Sequence, residues 1–311
     1  MSNKNIIPPI KFTPIYKEVL WGGDKIAQFK GIKLSSNSIG ESWEVSGVNG
    51  KETVVAEGEH KGKLLSEIID IYKADFVGAS NYARFGNLFP LLIKFIHADK
   101  DLSLQVHPND EYALKNENSY GKIEMWYILD AEKDAGLYVG FKENQTKESI
   151  NKMLKEGTIN DSLNFFNVKK GDFFIIEPGI VHAIGKGVTL IEIQQNSNIT
   201  YRLYDYDRVD KNGNKRELHI KKALDVISLE KYIKNETRNN ILTENKYFSS
   251  YIGNSSIKEL KATSNSFITF TIIEGNGYVG NEEIKLGDTF FLPASEKVEL
   301  KGDFKFIYTT I

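Results

Sequence analysis

The sequence predicts a mainly β fold of barrels or sandwiches with a few short helices, and three features carry that expectation. Most of the chain is short runs of Val, Ile, Phe and Tyr punctuated by Gly, Asn and Asp, as in closely spaced strands and turns. Helical spacing is confined to a few stretches. One strand phrase also occurs twice, Gly171-Asp172-Phe173-Phe174-Ile175-Ile176-Glu177-Pro178-Gly179 being echoed by Gly287-Asp288-Thr289-Phe290-Phe291-Leu292-Pro293-Ala294. Such an echo suggests a duplicated barrel, although Gly-Asp before an apolar strand and a Pro is also a common turn-and-strand phrase.

The 311 residues leave room for two domains or one large all-β unit. Helices are expected over Lys63 to Tyr82, around Leu64, Leu65, Ile68, Ile69 and Tyr72, and over Thr146 to Phe165, around Ile150, Met153 and Leu154. A shorter one is expected over Leu218 to Ile227, with Ile220, Ala223, Leu224 and Ile227 on one face. It leads into the polar stretch Lys234 to Asn245, which marks the expected boundary between a unit of residues 1–233 and a second of residues 234–311. The two copies of the phrase diverge at their C-terminal ends. The first continues to His182, whereas the second continues Ser295-Glu296-Lys297 in a unit without histidine. Only the first unit is therefore expected to bind metal through His. The second, with strand-like runs at Ile268 to Ile273 and Thr289 to Leu292, is expected to be structural.

A hydrophobic share of 41%, a charged share of 26% and a formal charge of -2 describe an ordinary soluble chain with no general attraction to nucleic acid or anionic membrane. An anionic substrate must be caught locally. No run reaches the roughly eighteen apolar residues of a membrane span, and Met1 to Pro9 lacks a signal-type apolar core. The expected location is the cytoplasm. With no cysteine and five histidines, a transition metal would need His, Asp, Glu or a side-chain amide.

Leu102-Ser103-Leu104-Gln105-Val106-His107 alternates, so Ser103, Gln105 and His107 share one face and Leu102, Leu104 and Val106 the other. Gln105 and His107 can reach one ion. Taken alone, the pattern also describes a strand with its polar face in water. In Lys122-Ile123-Glu124-Met125-Trp126-Tyr127-Ile128-Leu129, Lys122, Glu124 and Trp126 share a face; Glu124 can serve as a third ligand or pair with Lys122 at the surface. Pro178-Gly179-Ile180-Val181-His182 places a fourth candidate, His182, beyond a turn. One amide oxygen, one carboxylate and two imidazoles suit Zn²⁺ and are tolerable for other divalent first-row metals.

Gln105-Val106-His107-Pro108, Lys122-Ile123-Glu124-Met125-Trp126-Tyr127 and Pro178-Gly179-Ile180-Val181-His182-Ala183-Ile184 together resemble the signature of type I mannose-6-phosphate isomerases in their short bacterial form. Trp21-Gly22-Gly23, Gly40-Glu41-Ser42-Trp43-Glu44-Val45-Ser46, Phe89-Pro90-Leu91-Leu92-Ile93-Lys94, Glu192-Ile193-Gln194-Gln195 and Thr200-Tyr201-Arg202-Leu203-Tyr204-Asp205 add to the likeness. Departures are small: Ile123 stands where Thr or Pro is frequent, and His97 where an acidic residue is common. The resemblance implies two cupin (jelly-roll) barrels, the second degenerate, and one Zn²⁺ per chain on Gln105, His107, Glu124 and His182. It also implies Arg202 as the active-site arginine and a sugar-phosphate substrate, mannose 6-phosphate interconverting with fructose 6-phosphate through an enediol.

For that chemistry Glu192 is the candidate base, its basicity raised by enclosure, or else a structural partner of Arg202. Arg202 offers a planar fork to phosphate or enediolate oxygens. Lys94, in the apolar run Phe89 to Ile96, is a substrate-binding cation or an edge-strand lysine facing water. Ser103 is a candidate donor to the substrate, and Lys122 binds a hydroxyl or moves a proton. His60, His97 and His219 are expected to be surface or turn residues. The rival readings are a cupin dioxygenase, a silent sugar-binding protein and an isomerase of an unphosphorylated sugar.

Overall fold

Successive residues of an extended chain point to opposite faces, so strands apolar on both faces must be covered twice. The computed structural model of the chain describes residues 6–210, 212–234 and 240–311 and shows such a doubly covered sheet. Its six antiparallel strands run in the order Phe173–Ile176, Glu124–Ala131, Val188–Gln195, Leu91–His97, Ile39–Ser46 and Ile15–Gly23. Leu91, Ile93, Phe95, Met125, Tyr127, Ile191 and Ile193 pack outward against the helix Leu65–Tyr72 and against Phe267, Phe291 and Ile307 of the C-terminal part. Ile96, Trp126, Ile128, Phe174 and Leu190 pack inward against Leu137, Val139 and Ile184.

Those last residues belong to a five-stranded sheet ordered Tyr201–Tyr204, Leu104–Val106, His182–Ile184, Gly136–Phe141, Leu163–Asn167. Its outer face, with Leu104, Val106 and Leu203, is covered by Ile150 and Ala223 of the helices Lys147–Glu156 and Ile220–Val226. The expected first barrel thus takes the form of two open sheets face to face, with the site at one end between them.

A nine-stranded sheet forms the rest, centred on Ile268–Val279 and Lys297–Thr310. The stacking of Phe76 on Phe291 at 4.3 Å and the tilted contact of Phe89 with Phe267 at 5.1 Å join it to the first unit. Each such buried ring contributes roughly 1.5–3 kcal/mol through burial. The strand Ile10–Thr13 pairs with Thr289–Leu292, Ile10 standing opposite Phe291, so the N-terminal segment completes the C-terminal sheet. Of the polar stretch expected at the boundary, residues 235–239 lie outside the described residues.

The repeated phrase is a repeated structure. Gly171 N donates to Ile128 O at 2.9 Å and Ile128 N to Asp172 O at 2.8 Å, while Gly287 N donates to Ile272 O and Ile272 N to Asp288 O, both at 2.9 Å. Both glycines have positive φ, 94° and 83°, which the turn requires. In the strands beyond the turn, Ile176 stands opposite Glu124 and Leu292 opposite Ile268.

The helix expected over Lys63 to Tyr82 is broken into Leu65–Tyr72, Ala74–Val77 and Ala79–Phe85. Positive φ at Lys73 and Gly78 turns the chain between them; at Gly78 an added Cβ would meet Asn265 O at 2.2 Å. The second expected helix ends at Glu156, before Gly157 at φ 71°, and Phe165 lies instead in the strand Leu163–Asn167. Two helices carry too little apolar periodicity to stand out in the sequence, Lys25–Lys30 and Asp110–Glu117; the second is capped by Asn109, whose side chain accepts from Tyr112 N at 2.9 Å. Among the described residues no helix is long and apolar enough to cross a membrane.

Candidate active site

Three inward-facing side chains of the six-stranded sheet form a row, because Lys94 stands opposite Glu192 and Glu192 opposite Trp126. Glu124, two residues before Trp126, shares that face. From the five-stranded sheet His182 pairs in register with Gln105, and Gln105 with Arg202. His107, just past the strand Leu104–Val106, completes the approach. The ligating atoms of His107, Glu124 and His182 all lie within 4.8 Å of one another, and each residue is at most 1% exposed.

The hydrogen bonds fix both imidazoles. Nδ1 of His107 donates to Ile199 O and Nδ1 of His182 to Ile180 O, each at 2.8 Å, so both Nε2 atoms present lone pairs to Glu124. Burial pushes His182 down to about 4 and holds His107 well below its ordinary range, which keeps the rings neutral. Glu124 Oε1 lies 3.0 Å from His107 Nε2 and contacts Lys122 Nζ, while Oε2, 3.8 Å from His182 Nε2, is buried without a hydrogen-bond partner. An orphaned carboxylate oxygen facing two imidazole lone pairs is unfavourable by itself and is satisfied by a cation. The Gln105 amide, 3.3 Å from His182 Nε2, brings its oxygen to the same place by turning over. These groups fit a four-coordinate divalent ion.

Beside this cluster Lys122 Nζ lies 3.2 Å from His107 Nε2 and 3.5 Å from Glu192 Oε1. Burial brings Lys122 down to about 8 despite its acidic neighbours. Lys94 sits in a central strand rather than at an edge, 3.0 Å from Glu192 Oε1; burial opposes its charge, yet Glu192 and Glu41 outweigh that and hold it above its ordinary value. For Glu192 the expected rise in basicity is reversed. Its burial is outweighed by Lys122 and Lys94, so the carboxyl lies below the usual range. Its partners are those two lysines and Trp126, whose Nε1 donates to Oε2 at 2.9 Å, rather than Arg202.

These groups border a cavity of about 340 Å³. Arg202 and Ser103 stand in its wall, the Arg202 Nε donating to Ser103 Oγ at 3.2 Å and Nη1 to Glu217 O at 2.9 Å. Leu102, expected to point away with Leu104 and Val106, lines the cavity instead because it precedes the regular strand.

Of the cavity residues that are not among the site residues expected from the sequence, Trp21, Glu41, Arg216 and His219 carry a ring or a charge. Trp21 and Glu41 lie within phrases that carry the family resemblance, which is a signal that could have found them. Arg216 and His219 lie in a loop and at a helix start, where no periodicity aims a side chain. His219 is thus part of the cavity wall, not a bystander; its backbone N donates to Arg202 O at 2.7 Å. His97 is buried, not at the surface, with Nδ1 2.9 Å from Thr189 Oγ1. His60 stays apart from the site, 2.7 Å from the Tyr72 hydroxyl.

Residues 10–140 match the family described as phosphomannose isomerase type I, catalytic domain. The mannose-6-phosphate isomerase ManA of Bacillus subtilis is 41% identical over 303 residues, covering 92% of this chain and 93% of that protein. The mannose-6-phosphate isomerase of Streptococcus mutans is 34% identical over 306 residues, covering 93% of each. A crystal structure of mannose 6-phosphate isomerase from Bacillus subtilis superimposes with a TM-score of 0.87 at 35% identity, covering 97% of this chain and 99% of that one.

Proposed function

Because this chain belongs to the type I phosphomannose isomerases, we propose that it interconverts mannose 6-phosphate and fructose 6-phosphate with one zinc ion held by Gln105, His107, Glu124 and His182. The observation that carries the reading is the buried His107–Glu124–His182 cluster with its unpartnered carboxylate oxygen at the edge of a cation-lined cavity. The donor set of nitrogen and oxygen without thiolate favours zinc and admits other divalent first-row metals.

The reaction moves a proton between C2 and C1 through an enediol. A divalent ion supplies Lewis-acid stabilisation for the charge that develops on the sugar oxygens. The remaining work falls to the chain. Arg202, anchored through Nε and Nη1, keeps Nη2 for a phosphate or enediolate oxygen. Lys94 supplies a fixed positive charge and Ser103 a hydroxyl for the substrate. Lys122, at the junction of the metal cluster and the cavity, is placed to hold a hydroxyl or carry the proton. Glu192 acts by fixing both lysines, and its lowered basicity makes it a weaker candidate for the base than its position in the sequence suggests.

The division of labour accords with the same reading: residues 1–233 form the catalytic, metal-binding unit and residues 234–311 a structural one without metal. A charged sugar phosphate does not cross a membrane unaided, which supports action in the cytoplasm, and the chain's balanced charge supports no nucleic-acid partner.

Metal analysis coupled to an isomerisation assay tests this. Purified protein should carry about one divalent ion per chain, lose turnover of mannose 6-phosphate on chelation and recover it with zinc. Turnover of mannose but not of its phosphate, or turnover indifferent to chelation, would contradict it.

A further inference from the structure

The charges on the cavity side of the six-stranded sheet, buried except for the half-buried Glu41, alternate in sign from strand to strand. Glu41 lies on Ile39–Ser46, Lys94 on Leu91–His97 and Glu192 on Val188–Gln195, with Lys122 and Glu124 at the start of the next strand. The Lys94 ammonium is 3.0 Å from Glu192 Oε1 on one side and 3.7 Å from Glu41 Oε2 on the other. It hydrogen-bonds the first carboxylate and is drawn electrostatically toward the second. Glu41 is itself pinned, its Oε2 accepting from Trp43 Nε1 at 2.6 Å, and it lines the cavity. Trp43 is 2% exposed, so the donor holding Glu41 is rigidly packed.

We propose that Glu41 is a positioning residue for substrate binding: held by the Trp43 indole, it centres the Lys94 ammonium between two strands and keeps it available to the sugar phosphate. Without Glu41 the ammonium, already in contact with Glu192, loses its second anchor, and its remaining donors are no longer held toward the ligand. Glu41 itself does not need to touch the sugar. The inference rests on the isomerase reading above.

Glu41→Gln keeps the size of the side chain and an acceptor for Trp43 but removes the charge. It should lower kcat/KM about tenfold, chiefly through a higher KM for mannose 6-phosphate, the loss of one charge-assisted contact. Bound metal and Tm should stay at wild-type values. Trp43→Phe, which releases Glu41 without removing it, should move KM in the same direction by less. The decisive measurement is the cycle with Lys94→Met. If Glu41 acts through Lys94, adding Glu41→Gln to Lys94→Met costs nothing more. Losses that multiply in the double variant, unchanged kinetics in Glu41→Gln, or loss of metal from that variant would each overturn the proposal. Failure of the wild-type chain to turn over mannose 6-phosphate would instead break the isomerase reading.

Discussion

Across the first unit Phe174, Trp126, Glu192 and Lys94 stand side by side on four neighbouring strands, and at the same register positions the second unit holds Phe290, Phe270, Tyr308 and Tyr251. Counting from the repeated turn, Glu124 in one unit corresponds to Ile268 in the other. In the second unit the aromatic row packs on itself, with Phe270 on Phe290 and Tyr251 on Tyr308 at 5.1 Å each. In the first, the row is polar because each buried charge has an opposite charge on the next strand. One backbone frame therefore serves either chemistry. Which it serves depends on whether its inward charges come as a complete alternating set, since an isolated buried charge costs far more than an apolar side chain.

The most severe test moves one charge from one frame to the other. Ile268→Glu places a carboxylate at the Glu124 position of the second unit, where Ile268 packs in an apolar cluster with Phe270, Ile272, Phe290 and Leu292. It should destabilise the fold by about 3–5 kcal/mol, read as a fall in urea midpoint, and should bind no metal. The reverse change, Glu124→Gln, should cut bound metal and lower turnover more than about a hundredfold, since a direct ligand matters at least as much as its outer partners. Metal analysis beside steady-state kinetics checks this.

Arg202→Lys keeps a positive charge but loses the fork that holds Ser103 and Glu217 O together. It should keep its bound metal and lose about ten- to a hundredfold in kcat/KM. A fall in kcat as well places the guanidinium at the enediolate, and a rise in KM alone places it at the phosphate. Smallest of all, Tyr251→Leu removes one stacked ring from the second unit. It should cost about 1 kcal/mol of stability and leave kcat/KM unchanged, as thermal unfolding and the isomerase assay would show.

Much of this frame is legible in the sequence because a strand has a period of two. Alternation alone puts Lys122, Glu124 and Trp126 on one face and Ile123, Met125 and Tyr127 on the other, and the outward set packs as read. The repeated phrase is legible because its turn needs Gly at positive φ and Asp after it. The hidden features depend on distant segments. Nothing local marks Ile10–Thr13 as a partner of Thr289–Leu292. Apolar periodicity continues past Lys73 although the helix does not. The low basicity of Glu192 comes from Lys122, just before the strand Glu124–Ala131, and Lys94 on another strand, both far from it along the chain.

Anomalous diffraction at the zinc edge, from crystals of the chain grown with zinc, tests the central claim most directly. The account predicts one peak per chain about 2 Å from Nε2 of His107 and of His182, and none in the second unit. A peak among the residues of the second unit, or none between His107, Glu124 and His182, would contradict it.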